Sequence, residues 1–354
     1  DEATDIAVLR VRGNNAGRFQ YVTFDDASHV RVGDWVVAVG NPFGLDGTAT
    51  AGIVSAMGRR DAGSSAYVDY MQIDAPINRG NSGGPTFDLR GNVIGVNSAI
   101  FSPTGGNVGI GFAIPANTAN AIVQQILQNG RVSRGWIGVS IQPLDADIAR
   151  SLGLEEPRGA LVATVVPDGP AARAGIQQGD VILTFNGQRI EDSRDLTQRV
   201  GATAIGNASR VEVLRNGQRR TLNLRLQERP SEQQLASANQ PPNATPSPTP
   251  ESGVGVAQSS LGLSVRPLTS ADRTRYELGA NDAGLVVTSV EPASDAAQKG
   301  IGPGDVILQA GGRPVRSAQD LTTAADAARR ANRPLLLQVD GPRGRRFIAA
   351  DVAE

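Results

Sequence analysis

With 34 basic and 35 acidic side chains among 354 residues, the chain carries a formal net charge of −1 and an ordinary 40% of apolar residues. That balance predicts two or three globular domains and removes the electrostatic case for nucleic acid or an anionic membrane as partner. The absence of cysteine and the single histidine exclude disulfides and thiolate chemistry and argue against a zinc site, and no apolar run approaches the roughly 20 residues that span a bilayer.

The chain opens on Asp1-Glu2-Ala3-Thr4-Asp5-Ile6-Ala7-Val8-Leu9, which reads as the interior of a buried strand. An N-terminal part preceding it is therefore expected. From residue 5 to about 115, short β-branched runs such as Val36–Val39 and Thr50–Ser55 alternate with Gly, Asn and Pro turns. Regularly spaced short strands with turn signals predict a barrel or sandwich. Ala121, Ile122, Ile126 and Leu127 recur at helical spacing, predicting a helix over 116–128 that Asn129-Gly130 stops.

The stretch Gly80-Asn81-Ser82-Gly83-Gly84-Pro85 stands out among the turns. Glycines reach positive φ cheaply and leave a serine's surroundings open to close approach. The N–H groups of Gly80 and Ser82 can then converge where an oxyanion develops. A plain hairpin turn is the bland alternative. The strand-like Val68–Ile73 before the stretch and Gly91–Val96 after it favour a catalytic serine.

A repeat fills the second half. Pro167, Ala171, Ala172, Gly175, Ile176, Gly179, Asp180, Val181, Ile182 and Leu183 recur, always 125 residues later, as Pro292, Ala296, Ala297, Gly300, Ile301, Gly304, Asp305, Val306, Ile307 and Leu308. Each unit predicts strands, a short helix at the Ala-Ala pair, a Gly-Asp turn, a strand, and a helix from Asp192 or Ser317. Residues 230–257, rich in Pro, Ser, Asn and Gln, read as an extended linker.

Together these motifs resemble the HtrA (DegP/Do-like) serine endoproteases. The Asp5–Leu9 run, Gly40-Asn41-Pro42-Phe43-Gly44, Gly80–Pro85 and Gly111-Phe112-Ala113-Ile114-Pro115 resemble the protease domain. The repeats resemble two PDZ domains. The resemblance implies a mainly β fold: the C-terminal portion of a trypsin-like double β-barrel over 1–130, followed by two α+β PDZ domains over 134–229 and 258–354. It implies Ser82 as nucleophile, Asp5 as the carboxylate that orients a histidine, and Gly80, Asn81 and Ser82 as the oxyanion-hole loop. Pro76 and Ile77 fall at the primary specificity pocket, uncharged and suited to small aliphatic side chains. Asn81 stands where zymogen-type relatives carry Asp, so loops 40–47, 57–66 and 101–109 are the expected activating elements. Trp136-Ile137-Gly138-Val139 and Leu261-Gly262-Leu263 match the carboxylate-binding loops for peptide C-termini.

One departure matters. The family's histidine precedes its aspartate, whereas His29, the sole histidine, follows Asp5 in a polar stretch that reads as surface. Lys299, the sole lysine, falls inside the second repeat and offers no alternative base. The general base is expected upstream of residue 1. The implied activity is ATP-independent digestion of unfolded proteins in a bacterial periplasm, without cofactor or metal, in trimer-based assemblies. A non-proteolytic chaperone or PDZ scaffold is the alternative.

Overall fold

Strand pairing and helix capping build the molecule, a computed structural model describing residues 1–12, 19–44, 47–60, 62, 65–230, 257–258, 261–276 and 283–352. It divides into Asp1–Ser133 and Arg134–Glu354. Residues 231–256 of the expected linker, and Ser260 beside the second carboxylate loop, lie outside the described residues.

The first unit is a closed antiparallel barrel of six strands in the order β1-β2-β3-β6-β5-β4. They are β1 Trp35–Gly40, β2 Thr48–Arg59, β3 Tyr70–Ile73, β4 Pro85–Phe87, β5 Val93–Ile100 and β6 Gly111–Pro115. Alternate residues Val36, Ala38, Met71, Ile73, Ile94 and Ala113 fill the interior, as the two-residue period of a strand requires. Helix α1, Ala116–Asn129, ends on Gly130 in the left-handed conformation, whose N–H returns to the Ile126 carbonyl. The expected strand over Asp5–Leu9 is absent. Residues 2–5 form a turn, Asp5 has φ 58°, and Leu9 is 90% exposed. A strand needs a neighbour for its backbone groups, and no described strand pairs with this run.

The second unit holds both repeats. The first comprises β7 Gly135–Trp136, β8 Val139–Pro143, α2 Ala146–Ser151, β9 Ala160–Val165, α3 Pro170–Arg173, β10 Val181–Phe185, β11 Gln188–Arg189, α4 Ser193–Ala202, β12 Ala208–Arg215, β13 Gln218–Arg225 and β14 Gln227–Glu228. Its main sheet runs β13-β12-β10-β9-β8, leaving β8 at an edge, while β7 pairs with β14. The second comprises β15 Ala257–Gln258, β16 Leu263–Pro267, α5 Ser270–Arg275, β17 Leu285–Val290, α6 Asp295–Gln298, β18 Val306–Ala310, β19 Arg313–Pro314, α7 Ala318–Arg330, β20 Leu335–Asp340 and β21 Arg346–Ala350. Its order is β15-β16-β17-β18-β20-β21. Asp192 and Ser317 cap α4 and α7 at the positions read from sequence, accepting from the Asp195 and Asp320 amides.

The repeated Gly-Asp turn has a physical reason. The Asp180 side chain is fully buried, accepts from the Gln177 N–H at 2.8 Å, and takes two hydrogen bonds of 2.6 Å from Arg215 on β12. Asp180 thereby ties the start of β10 to the end of its neighbour β12, and its hydrogen bonds outweigh burial and raise the Arg215 pKa. Asp305 repeats the arrangement more loosely, with Arg346 at 3.4 Å.

Candidate active site

Ser82 occupies the connection between β3 and β4, a turn that only glycine can build. Gly80 has φ +109°, and a Cβ there would lie 2.2 Å from the Asn41 carbonyl oxygen. A Cβ on Gly84 would lie 2.1 Å from the Val39 carbonyl oxygen. The Gly40–Gly44 motif is the other side of this contact: Asn41 N–H donates to Gly80 O and Phe43 N–H to Arg79 O. The two glycine-rich motifs, 40 residues apart, form one surface.

Asn97 on β5 holds the turn from behind. Its N–H donates to Gly84 O, and its carbonyl accepts from Gly83 N–H, both at 2.8 Å. Its buried side chain accepts from Thr86 Oγ1 at 2.6 Å. Ser98, the next residue, joins the two predicted catalytic side chains. Ser82 Oγ donates to the Ser98 carbonyl at 2.9 Å, and Ser98 Oγ donates to Asp5 Oδ2 at 3.2 Å. Neither Asn97 nor Ser98 was singled out from sequence. Their signal was available, since an Asn-Ser pair interrupts the otherwise apolar run Val93–Ile100.

Among the described residues, no acceptor engages the N–H groups of Gly80 and Ser82. The Asn81 N–H differs, because it donates to Asn78 O at 3.0 Å. The buried Asn81 side chain packs under Gly40. Ile77 is 1% exposed and belongs to the barrel core, while Pro76 is exposed and its carbonyl accepts from Thr50 Oγ1. The one carboxylate nearby, Asp74, is engaged by the Ile53 N–H at 2.6 Å.

His29 sits elsewhere in the bonding network. It lies 3.7 Å from both Asp25 and Asp88 and accepts from Arg90 Nη2. Burial opposes ionisation of Asp88, yet the Asn92 amide and Arg90 outweigh it and hold that carboxyl at about 2. Asp25, His29 and Asp88 bring ligand atoms within 4.8 Å of one another, but Arg90 already lies among them, with Nε 3.0 Å from Asp88. That guanidinium opposes a cation in the same place.

The carboxylate loops of the two repeats are both left-handed at their glycine, φ +79° at Gly138 and +69° at Gly262. Successive N–H groups around such a residue turn to one side and form an anion nest. Gly138 O accepts from Val166 N–H and Ile137 O from Ala171 N–H, so the carbonyls are tied back. The side chains of Ile137, Leu261 and Leu263 belong to the cores, and backbone is what these residues present to a ligand. The two grooves differ at their receiving strand. Among the described residues β8 is a free edge, whereas β16 carries β15 along its outer side, Ala257 opposite Val265 and Gln258 opposite Ser264.

This geometry meets its relatives directly. The trypsin-like peptidase domain family matches residues 1–96, and the PDZ domain family matches 135–226 and 259–341. A periplasmic serine endoprotease, DegP-like, of Rhizobium meliloti is 45% identical over 357 residues, covering 100% of this chain and 67% of that protein. The chain belongs to the DegP-like family of serine endoproteases. The DegP-like protein of Bartonella henselae is 46% identical over 353 residues, with 99% of this chain and 66% of the relative covered. The DegP-like chain thus spans about two thirds of the length of both. Among solved structures, the HtrA-type protease AlgW with tripeptide aligns at a TM-score of 0.57 and 45% identity, covering 63% of this chain and 73% of that one. AlgW with decapeptide aligns at 0.55 and 47% identity, over 59% and 65% of the two chains.

Proposed function

We propose that Ser82 is the nucleophile and Asp5 the orienting carboxylate of an ATP-independent endopeptidase that digests unfolded proteins in a bacterial periplasm. The observation that carries this reading is that Ser82 and Asp5 both bond to one residue, Ser98, beside the unengaged Gly80 and Ser82 amides. A peptide carbonyl attacked by Ser82 Oγ develops an oxyanion, which those two N–H groups stabilise. Ser98 orders the two catalytic side chains from one strand, so Ser98 is a positioning residue. Pro76, with Ala75 and Ile77 beside it, supplies no charge for a basic side chain, favouring small aliphatic residues before the cut. In this reading the protease domain spans 1–130, the PDZ domains 134–229 and 258–354, with 230–257 as linker, and the active assembly is trimer-based.

The general base is not His29, whose partners are Asp25, Asp88 and Arg90. His29→Ala in the full-length protein is expected to change kcat on casein by less than about threefold, the size of a surface effect. A collapse of kcat with KM preserved would make His29 the base.

Residues 1–354 alone then lack a group to activate Ser82, and an unassisted hydroxyl is a poor nucleophile at neutral pH. They are expected neither to cleave casein nor to react with a fluorophosphonate. The first PDZ groove, with its edge strand open, is expected to bind a peptide with a free apolar C-terminus and to lose about tenfold when that terminus is amidated, since a charged acceptor is removed. Fluorophosphonate labelling of Ser82 would reveal a base within these residues. Equal affinity for acid and amide would remove the carboxylate-nest role of Trp136–Val139.

A further inference from the structure

The strands of the two repeats depart from the alternation of a half-solvated sheet. On β9, Ala160 and Val162 enter the first core while Leu161 faces away; on β10, Ile182 enters and Val181 faces away. In the second repeat, Leu337 and Ile348 enter the core while Leu336, Phe347 and Ala349 face away. Successive side chains point to opposite faces, so an isolated repeat would show these apolar groups to water. They are instead buried together in one cluster drawn from both repeats, joined by Ile148 and Ala149 of α2.

Polar contacts close the rim of this seam. The Gln142 side chain behaves as a short strand against the edge of β21: its Oε1 accepts from Phe347 N–H at 2.8 Å and its Nε2 donates to Phe347 O at 3.0 Å. Lys299 Nζ reaches Asp147 of the first repeat at 2.6 Å, Asp295 of its own helix at 3.1 Å, and the Ala349 carbonyl at 2.6 Å. Asp351 N–H donates to Asp295 at 2.8 Å. Every outward backbone group named here on the β21 edge has a partner, which is how an edge strand is kept from pairing with other chains. Burial disfavours the Lys299 charge, but Asp147 and Asp295 outweigh it and raise its pKa.

The position of Gln142 is informative, because it belongs to β8, the open edge that would receive a peptide. The docked surface of the second repeat, β20 and β21, is at the opposite end of its sheet from β16, whose own edge is taken by β15. We infer that the second repeat is a brace for the first: it docks through this apolar seam, is latched by Lys299, and holds β8 in the form that accepts a peptide C-terminus. The peptide-holding part rests on the PDZ reading of the first groove. A strand already fixed at one end loses less freedom on taking a ligand, and affinity rises by that difference.

Lys299 makes the test direct, since an amine-reactive acetylating reagent followed by mass spectrometry reads a single ε-amine in residues 1–354. Ile148→Arg, which drives a charge into the seam, is expected to raise the Lys299 acetylation rate about tenfold, the loss of one charge-assisted hydrogen bond. It is expected to weaken binding of an apolar C-terminal-acid peptide about fivefold. Gln142→Ala with Asp147→Asn, which leaves both cores intact, is expected to move both readouts the same way by less. Unchanged acetylation in both variants overturns the docking. Faster acetylation with unchanged peptide affinity overturns the brace. A wild-type chain with no preference for acid over amide peptide overturns the groove reading, and the brace with it, while acetylation still decides the docking.

Discussion

Ser82→Ala in the full-length protein is expected to lower casein hydrolysis by about 10³-fold or more while leaving capture of unfolded protein unchanged. The substitution removes one oxygen. It leaves Gly80 and Gly84, whose missing Cβ atoms set the turn against Asn41 and Val39, and it leaves the Asn97 bonds that hold the turn. The Gly80 and Ser82 N–H groups, proposed as the oxyanion hole, are backbone groups and persist, which is why residual activity above water is expected rather than none. Release of dye from labelled casein measures the loss, and suppression of aggregation of a denatured protein measures the capture. Turnover equal to wild type would remove Ser82 from the mechanism.

The second large effect concerns stability. Asp180→Ala is expected to destabilise the first repeat by about 3–5 kcal/mol, the cost of stranding one member of a buried ion pair. The Arg215 side chain is 13% exposed and would keep its charge without a partner. The Gln177 N–H would lose its acceptor as well. Hydrogen exchange should accelerate across β10 and β12, with the barrel of residues 1–133 unaffected. Adding Arg215→Leu should recover much of the loss, because removing both charges leaves a smaller penalty than removing one. Unchanged exchange in the single variant would mean that the pair contributes nothing.

The elements most legible in sequence were those whose causes are local. Asn129-Gly130 ended α1 where glycine's left-handed backbone was needed, and Asp192 and Ser317 capped the helices they preceded. The 125-residue repeat was legible because each copy must satisfy the same Gly-Asp turn. What escaped was non-local. Nothing within Asp5–Leu9 says whether a neighbouring strand exists, so an apolar, β-branched run read as a strand and emerged as the end of a turn followed by chain outside any strand. The acceptor of the Asn81 amide, Asn78 O, likewise depends on the fold of the loop. Ser98 could not be singled out until β5 was folded beside the turn, 16 residues from Ser82 and 93 from Asp5. The seam between repeats was written in Ala160–Val165 and Leu335–Val339, runs too apolar for a sheet with one wet face.

The hydrogen bond from Ser82 Oγ to the Ser98 carbonyl bears on how fast the enzyme can start. Ser98 holds the hydroxyl while the turn, its amides and the Asp5 carboxylate are already in place. Releasing it costs about one ordinary hydrogen bond, 0.5–1.5 kcal/mol. The motion required is a swing about a single side-chain bond, which for an exposed residue takes on the order of picoseconds to nanoseconds. In the proposed role of Ser82 as nucleophile, this swing is too fast to be the slow step. In the proposed mechanism a lag in the onset of cleavage comes from larger pieces such as the movement of loops, and temperature-dependent lag times should carry their barrier and not that of Ser82.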